Sequence, residues 1–271
     1  MASLFFVKYC MIKQITVGGC RIPVTNNIAD NLVEIKNAIN WAFDNSVDII
    51  CTPECSLSGY MWKPNNKEDP RVLELDIAIE EVKRYSAEKK VDIVLGTAWY
   101  NNKNQWANTQ AFIIDGEHQF THEKNLLFPL EQEIYYPGNS SEVFDYKGVR
   151  IAGLICNDAW ANTMYWPGQS GMLLKSLAEK NVHFVFLSSF VPKEPGPNNM
   201  FYRWCQSQVE LAGAFGNWHT IVCDTTTNIN GSAYNGPPAS PIGICDSCAE
   251  WTRDSDTGIT YFKASFRPEH N

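Results

Sequence analysis

The sequence lacks any run of basic residues. Its 22 Lys and Arg stand against 30 Asp and Glu, a net charge of −8. Phosphate binding needs clustered Lys and Arg, so a nucleic-acid partner is disfavoured. Long apolar runs are missing too. Nothing approaches the roughly 18 consecutive apolar residues that span a bilayer, so no membrane partner is expected. Residues 4–7 are apolar but too short for a signal-peptide core, and no convincing small-residue cleavage site follows. Residues 1–11 read as a loose extension before the first strand, with Met11 an alternative start.

Paired cysteines, metal-ligand spacings and phosphate loops are also absent. The cysteines number nine, an odd count scattered along the chain, which is no disulfide framework. A reducing, cytoplasmic compartment is the expectation. Without a secretion signal, the glycosylation patterns at Asn139 and Asn230 carry little meaning. Cys245 and Cys248 form a single CxxC with no second pair nearby, and His118, His122, His183, His219 and His270 make no metal-ligand spacing. No Gly-rich phosphate loop, internal repeat or low-complexity linker occurs.

What is present is an alternation of strand-like and helix-like segments. Apolar residues make up 44%, enough for a large core, and charged residues only 19%. Strands are expected at 14–20, 47–51, 91–99, 107–114, 149–155, 183–189, 219–224 and 258–265. Helices are expected at 29–43, 73–89, 169–180 and 201–216. The first helix rests on Leu32, Ile35, Ile39 and Ala42, which recur at helical spacing. Asp115-Gly116 after the fourth strand predicts a hairpin turn. Residues 225–240, rich in Gly, Pro, Asn and Ser, read as a loop. The pattern is a single α/β domain over 1–271.

Two reactive residues follow buried strands, and a third lies in a loop. Glu54 comes after 47–51, Cys156 directly after 149–155, and Lys124 in the loop after the next strand pair. Carboxyl ends of strands are where α/β folds build sites. Taken singly, each has a bland alternative: a core cysteine, a solvated turn glutamate, a surface lysine.

Together they resemble the signature boxes of the nitrilase, or carbon–nitrogen hydrolase, superfamily. Glu54 lies in Pro-Glu-x-x-x-x-Gly-Tyr60, Lys124 in Lys-x-x-Leu-x-x-Pro, and Cys156 in Cys-x-Asp158. Asn108 before the hairpin, Glu131 ahead of Tyr135-Tyr136-Pro137-Gly138, and the stretch from Trp204 to Asn217 extend the likeness. It covers roughly residues 13–265. The resemblance implies a four-layer α-β-β-α sandwich of the nitrilase type. It implies a homodimer or larger homo-oligomer, a small amide or N-carbamoyl substrate that releases ammonia, and no metal or organic cofactor.

The resemblance also implies roles. Cys156 is the nucleophile that forms a thioester, Glu54 the general base and acid, and Lys124 the oxyanion donor. The backbone N–H of Asn157 assists Lys124, and Glu131 holds Lys124 or orients the substrate amine, with Glu133 a nearby competitor. Tyr60, Asn157 and Trp160 are candidate substrate contacts, with Tyr165 and Trp166 alongside Trp160 as an aromatic wall. Two departures stand out. Ala159 and Trp160 replace the arginine and aromatic that often follow Cys-x-Asp, which disfavours a carbamoyl α-amino acid unless Arg203 substitutes. Arg21 stands where glutamine is common. A true nitrilase is the alternative within the superfamily, disfavoured by Cys-Asn-Asp in place of Cys-Trp-Glu. A non-catalytic binding or scaffold protein is the alternative outside enzymology.

Overall fold

The computed structural model describes residues 14–60, 62–64, 68–100, 105–139, 141–160, 169–191, 200–227, 238–252 and 258–267. The expected extension at 1–11, Tyr165, Trp166, Asn230 and most of the 225–240 loop lie outside them.

The strands alternate their side chains between two cores, and that alternation builds the layers. In β7 (Val149–Ile155) Ile151 faces one way, and Ala152 and Leu154 the other. In β8 (Phe184–Ser188) Phe184 and Phe186 split from Val185 and Leu187 in the same manner. A period of two with apolar residues on both faces needs cover on both faces.

One sheet runs β5-β4-β3-β2-β1 and continues at its edge into β9-β8-β7-β6. Its first half comprises β1 (Ile15–Ile22), β2 (Ile49–Cys51), β3 (Asp92–Tyr100), β4 (Trp106–Ile114) and β5 (Glu117–Glu123). The second half comprises β6 (Val143–Tyr146), β7, β8 and β9 (His219–Thr225). Strands β10 (Gly243–Cys245) and β11 (Trp251–Thr252) extend β9, and β12 (Thr260–Phe266) pairs antiparallel with β1. Strands β1 and β9 join the halves through Arg21↔Asp224 and Ile22↔Thr225, and the halves fold face to face. Val94 and Phe112 of the first half share a core with Ile151, Phe186 and Ile221 of the second.

Helices close the outside. α1 (Ile28–Asp44) and α2 (Pro70–Lys89) press Ile35, Ile39, Leu75, Ile79 and Val82 onto Ile50, Ile93 and Leu95. Across the sandwich, the single turn α3 (Asn157–Trp160) follows β7, and α4 (Gln169–Glu179) and α5 (Met200–Gly216) cover Leu154, Val185 and Val222 with Leu177, Cys205 and Val209. The expected four-layer α-β-β-α order is the observed one.

Three differences have local causes. α2 starts earlier than its apolar spacing suggests, because Asp69 caps it through the Arg71 N–H and Pro70 occupies its first turn. β2 is shorter than 47–51, since the Val47 N–H still bonds the Ala42 carbonyl at the end of α1. The short strands β6, β10 and β11 offer too few residues for a pattern to show. Elsewhere the hairpin turn forms as expected, with Asp115 and Gly116 both at positive φ (52° and 76°). Arg21 gains a physical account. It is 1% exposed, and its Nε donates to the Thr225 carbonyl and one terminal nitrogen to the Gly258 carbonyl.

Candidate active site

The turn after β2 delivers Glu54. The Thr52 N–H still bonds the Val94 carbonyl of β3, and the turn then folds over that strand. Gly96 makes this approach feasible, because a Cβ there would lie 2.0 Å from the Pro53 carbonyl oxygen. The Glu54 N–H reaches the Ser189 carbonyl at the end of β8, which ties the turn to the opposite half of the sandwich.

Lys124 directly follows β5. Its backbone is fixed on both sides, with its N–H on the Asn108 carbonyl and its carbonyl accepting from the Gly138 N–H. Glu131 opens a single 3-10 turn, Glu131–Glu133, a little further on. Glu131 is buried while Glu133 is exposed, so the structure separates the two glutamates that the sequence left in competition.

The three charged side chains meet. Lys124 Nζ lies 2.6 Å from Glu54 Oε1 and 2.7 Å from Glu131 Oε2. Asn108 Nδ2 donates to both carboxylates, at 2.7 Å to Glu54 and 2.9 Å to Glu131. Backbone donors complete the set: Phe190 N–H to Glu54 Oε2 at 2.8 Å and Phe128 N–H to Glu131 Oε2 at 2.7 Å. All three charged side chains are 0% exposed. Such burial is tolerable only because nearly every lone pair and proton has a partner.

Cys156 faces this cluster from the end of β7. Its φ is +46°, a left-handed conformation rarely adopted by non-glycine residues and a form of local strain that gathers at functional sites. The thiol feels the charges of Glu54, Lys124 and Glu131. Burial pushes its pKa well up, Glu54 adds to that rise, and Lys124 opposes it, so the resting sulfur is a thiol. Glu54 moves the same way. Burial first, opposed by Lys124 and reinforced by Glu131, raises its carboxyl to about 8. For Lys124 burial works against the charge, but Cys156, Glu131 and Glu54 outweigh it and the net shift is upward.

Tyr60 is buried and stacks on Phe190 with ring centroids 4.3 Å apart. It too feels Lys124, Glu54, Glu131 and Cys156, which places it at the same centre. Asn157 Nδ2 is buried and has no hydrogen-bond partner among the described residues. The Trp160 side chain lies outside the described residues, as do Tyr165 and Trp166. Arg203 is exposed on α5, unlike the buried cluster. Among the described residues no group of His, Cys, Asp and Glu is arranged to hold a metal. Cys245 is buried in β10 and Cys248 exposed beyond it.

A family model described as carbon-nitrogen hydrolase matches residues 14–167, more than half of the chain and the span that supplies Glu54, Lys124, Glu131 and Cys156. The chain belongs to the carbon–nitrogen hydrolase family. Among curated proteins, this carbon–nitrogen hydrolase is similar to the glutamine-dependent NAD(+) synthetases of Acinetobacter baylyi and a Synechocystis species. It is 27% identical to the first over 185 residues and 29% to the second over 190. Each match covers 64% of this chain, but only 31% and 33% of the respective relative, so the chain spans about a third of their length. Among solved structures it is similar to a variant of the amidase from Nesterenkonia sp. AN1 that carries the acetamide moiety of fluoroacetamide on its active-site cysteine. The TM-score is 0.75 at 13% identity, with 93% of this chain and 90% of that chain covered. That likeness is one of fold.

Sequence reasoning on the carbon–nitrogen hydrolase boxes did not single out Phe190. Its backbone N–H holds Glu54 and its ring holds Tyr60, and neither role leaves a mark on residue type. Asn108 entered the sequence reading through the family likeness, without a role, and its bridging of two carboxylates needs the folded sheet.

Proposed function

We propose that this protein is a cysteine-dependent hydrolase of small non-peptide C–N bonds, with a carboxamide as substrate class and a thioester intermediate. The observation that carries this reading is the buried Glu54–Lys124–Glu131 cluster facing a strained cysteine. Three buried charged groups would be costly furniture in a mere scaffold.

An amide carbon is a reluctant electrophile, and a thiolate splits its hydrolysis into two easier steps. Glu54 takes the thiol proton as Cys156 Sγ attacks the carbonyl carbon. The oxygen becomes negative and is stabilised by Lys124, assisted by the Asn157 N–H. When the intermediate collapses, the C–N bond breaks and Glu54 returns the proton to the departing ammonia. Glu54 then deprotonates a water that attacks the thioester, and the carboxylic acid leaves as the thiol reforms. A carboxyl raised to about 8 holds and releases protons near neutrality, as both halves of this cycle require. Glu131 and Asn108 hold Lys124 and Glu54 in place, and Tyr60 with Phe190 walls the site.

A second reading has support in the curated relatives, whose names state glutamine dependence: the carboxamide would be that of glutamine. An N-carbamoyl amine uses the same steps and additionally yields carbon dioxide. The test is ammonia release from a panel of aliphatic amides, glutamine, N-carbamoyl amines and nitriles, with carbon dioxide measured in parallel. Ammonia alone from an amide supports the first reading, and its restriction to glutamine the second. No ammonia from any member, with no adduct on Cys156, would count against both.

The same reading includes assembly into a homodimer or larger homo-oligomer and work in a reducing compartment. The eight cysteines within the described residues are all free. Among the described residues no helix is long and apolar enough to cross a membrane.

A further inference from the structure

One carboxylate touches both halves of the candidate active site. Asp158 lies two residues after Cys156 and is 0% exposed. Its Oδ1 accepts the backbone N–H groups of Asn125 at 3.0 Å and Leu126 at 2.9 Å, the two residues after Lys124. Its Oδ2 accepts the N–H of Ile155 at 3.1 Å, the residue before Cys156. Oδ2 also meets His122 Nε2 at 2.8 Å, from the end of β5 just before Lys124. Asp158 thus gathers donors from both sides of the lysine and from the strand end that bears the nucleophile.

We propose that His122 is a positioning residue: through Asp158 it holds the loop that carries Lys124 in register with the strand end that carries Cys156. This rests on the hydrolase reading above.

An ionised Asp158 accepts only, so His122 Nε2 carries the hydrogen and donates. His122 is 1% exposed, and its Nδ1 has no partner among the described residues. A buried ring nitrogen left unpaired is a cost, and an apolar side chain of the same shape would avoid it. The contact also needs the two sheet halves to come close. Gly153 of β7 allows this, since a Cβ there would lie 2.9 Å from His122 Cβ and 2.2 Å from Gln110 Oε1. The chain therefore places a glycine opposite His122 and tolerates a half-paired imidazole. What the arrangement secures is the distance between an ammonium and a sulfur, where an error of about 1 Å can cost on the order of 100-fold in rate.

His122→Phe keeps the ring and removes the donor, whereas His122→Gln keeps a donor. The probe is iodoacetamide, which reports thiolate at Cys156 without any substrate, read by peptide mass between pH 6 and 10. Alkylation of exposed Cys248 serves as the internal control. The charged and titratable groups facing Cys156 include Glu54, Lys124, Glu131, Cys205 and Tyr60, and of these Lys124 favours the thiolate.

In His122→Phe, alkylation of Cys156 should slow about 10-fold or more at fixed pH and its profile should move to higher pH, with Cys248 unchanged. His122→Gln should restore most of the wild-type profile. For whichever amide the wild type hydrolyses, kcat should fall about 10- to 100-fold while KM changes little. Urea midpoints establish that each variant is folded. If His122→Phe does not fold, Asp158→Asn tests the same contact from its other side and should give the same shift. A folded variant of either kind with a wild-type Cys156 profile overturns the proposal. Absence of ammonia release by the wild type would overturn the hydrolase reading instead, and leaves the alkylation comparison intact.

Discussion

At the scale of single residues, the site works by raising two proton affinities together. Burial lifts both Cys156 and Glu54, so each gives up its proton at a higher pH than an exposed group of its kind. The sign of the pH dependence follows. Glu54 acts as base only when ionised, and its ionised form grows as pH rises through about 8. Measured on the free enzyme, kcat/KM should therefore climb with pH on a limb far above the ordinary glutamate value of about 4.3. A limb near that ordinary value would contradict the assignment. Cys156→Ala should abolish turnover and leave the urea midpoint close to wild type, because the thiol donates no structural hydrogen bond among the described residues. Retained turnover would sink the nucleophile. Lys124→Ala removes the proposed oxyanion donor, and kcat should fall by about 100-fold or more, roughly 3 kcal/mol.

At the scale of elements, Glu54, Lys124 and Cys156 are each held by a strand end or by the turn after it. The Glu54 turn lies on β3 because Gly96 has no side chain. Gly96→Ala would drive a methyl into the Pro53 carbonyl and push the turn outward. Overpacking of this kind costs about 1–3 kcal/mol. The displaced turn should also weaken the contacts of Glu54 with Lys124 and the Phe190 N–H. Urea denaturation and kcat should fall together in this variant. A stable protein with reduced kcat would place the effect wholly in the site, and a wild-type protein in both respects would refute the packing argument.

At the scale of the whole molecule, the two sheet halves join near Asp224. Its carboxyl is 0% exposed, accepts the Val191 and Thr225 N–H groups, and takes the Ser240 hydroxyl. Burial raises its pKa to about 6, against the pull of those amides, Arg21 and Ser240. The unfolded chain ionises near 3.9. Between about 4 and 6 the folded state thus holds more protons than the unfolded state, and stability falls as pH rises through that window. At most roughly 3 kcal/mol is involved. Asp224→Asn removes this contribution, so wild type should lose more stability than the variant between pH 4 and pH 7 in urea titrations. Equal pH slopes would show that Asp224 does not carry the effect. Exposed Met200, Phe201, Leu211 and Phe215 on α5 suit the proposed self-association, which light scattering of the purified protein tests.

The sequence by itself determined the alternation of strands and helices. Leu32, Ile35, Ile39 and Ala42 carry the helical period on α1, and the apolar run of β8 reads as a strand by its shortness and its Phe and Val content. It also placed Glu54 and Cys156 after buried strands. It did not say that Lys124 is buried, that Glu131 rather than Glu133 faces it, or that Asn108 bridges two carboxylates. Those outcomes depend on which loops the packed halves bring within hydrogen-bonding distance, and residues 54, 108, 124 and 156 are far apart along the chain. Local pattern encodes period and turn chemistry, which act over a few residues. The meeting of His122 with Asp158, or of Phe190 with Glu54, was decided only when face-to-face packing of the two sheet halves fixed their separation.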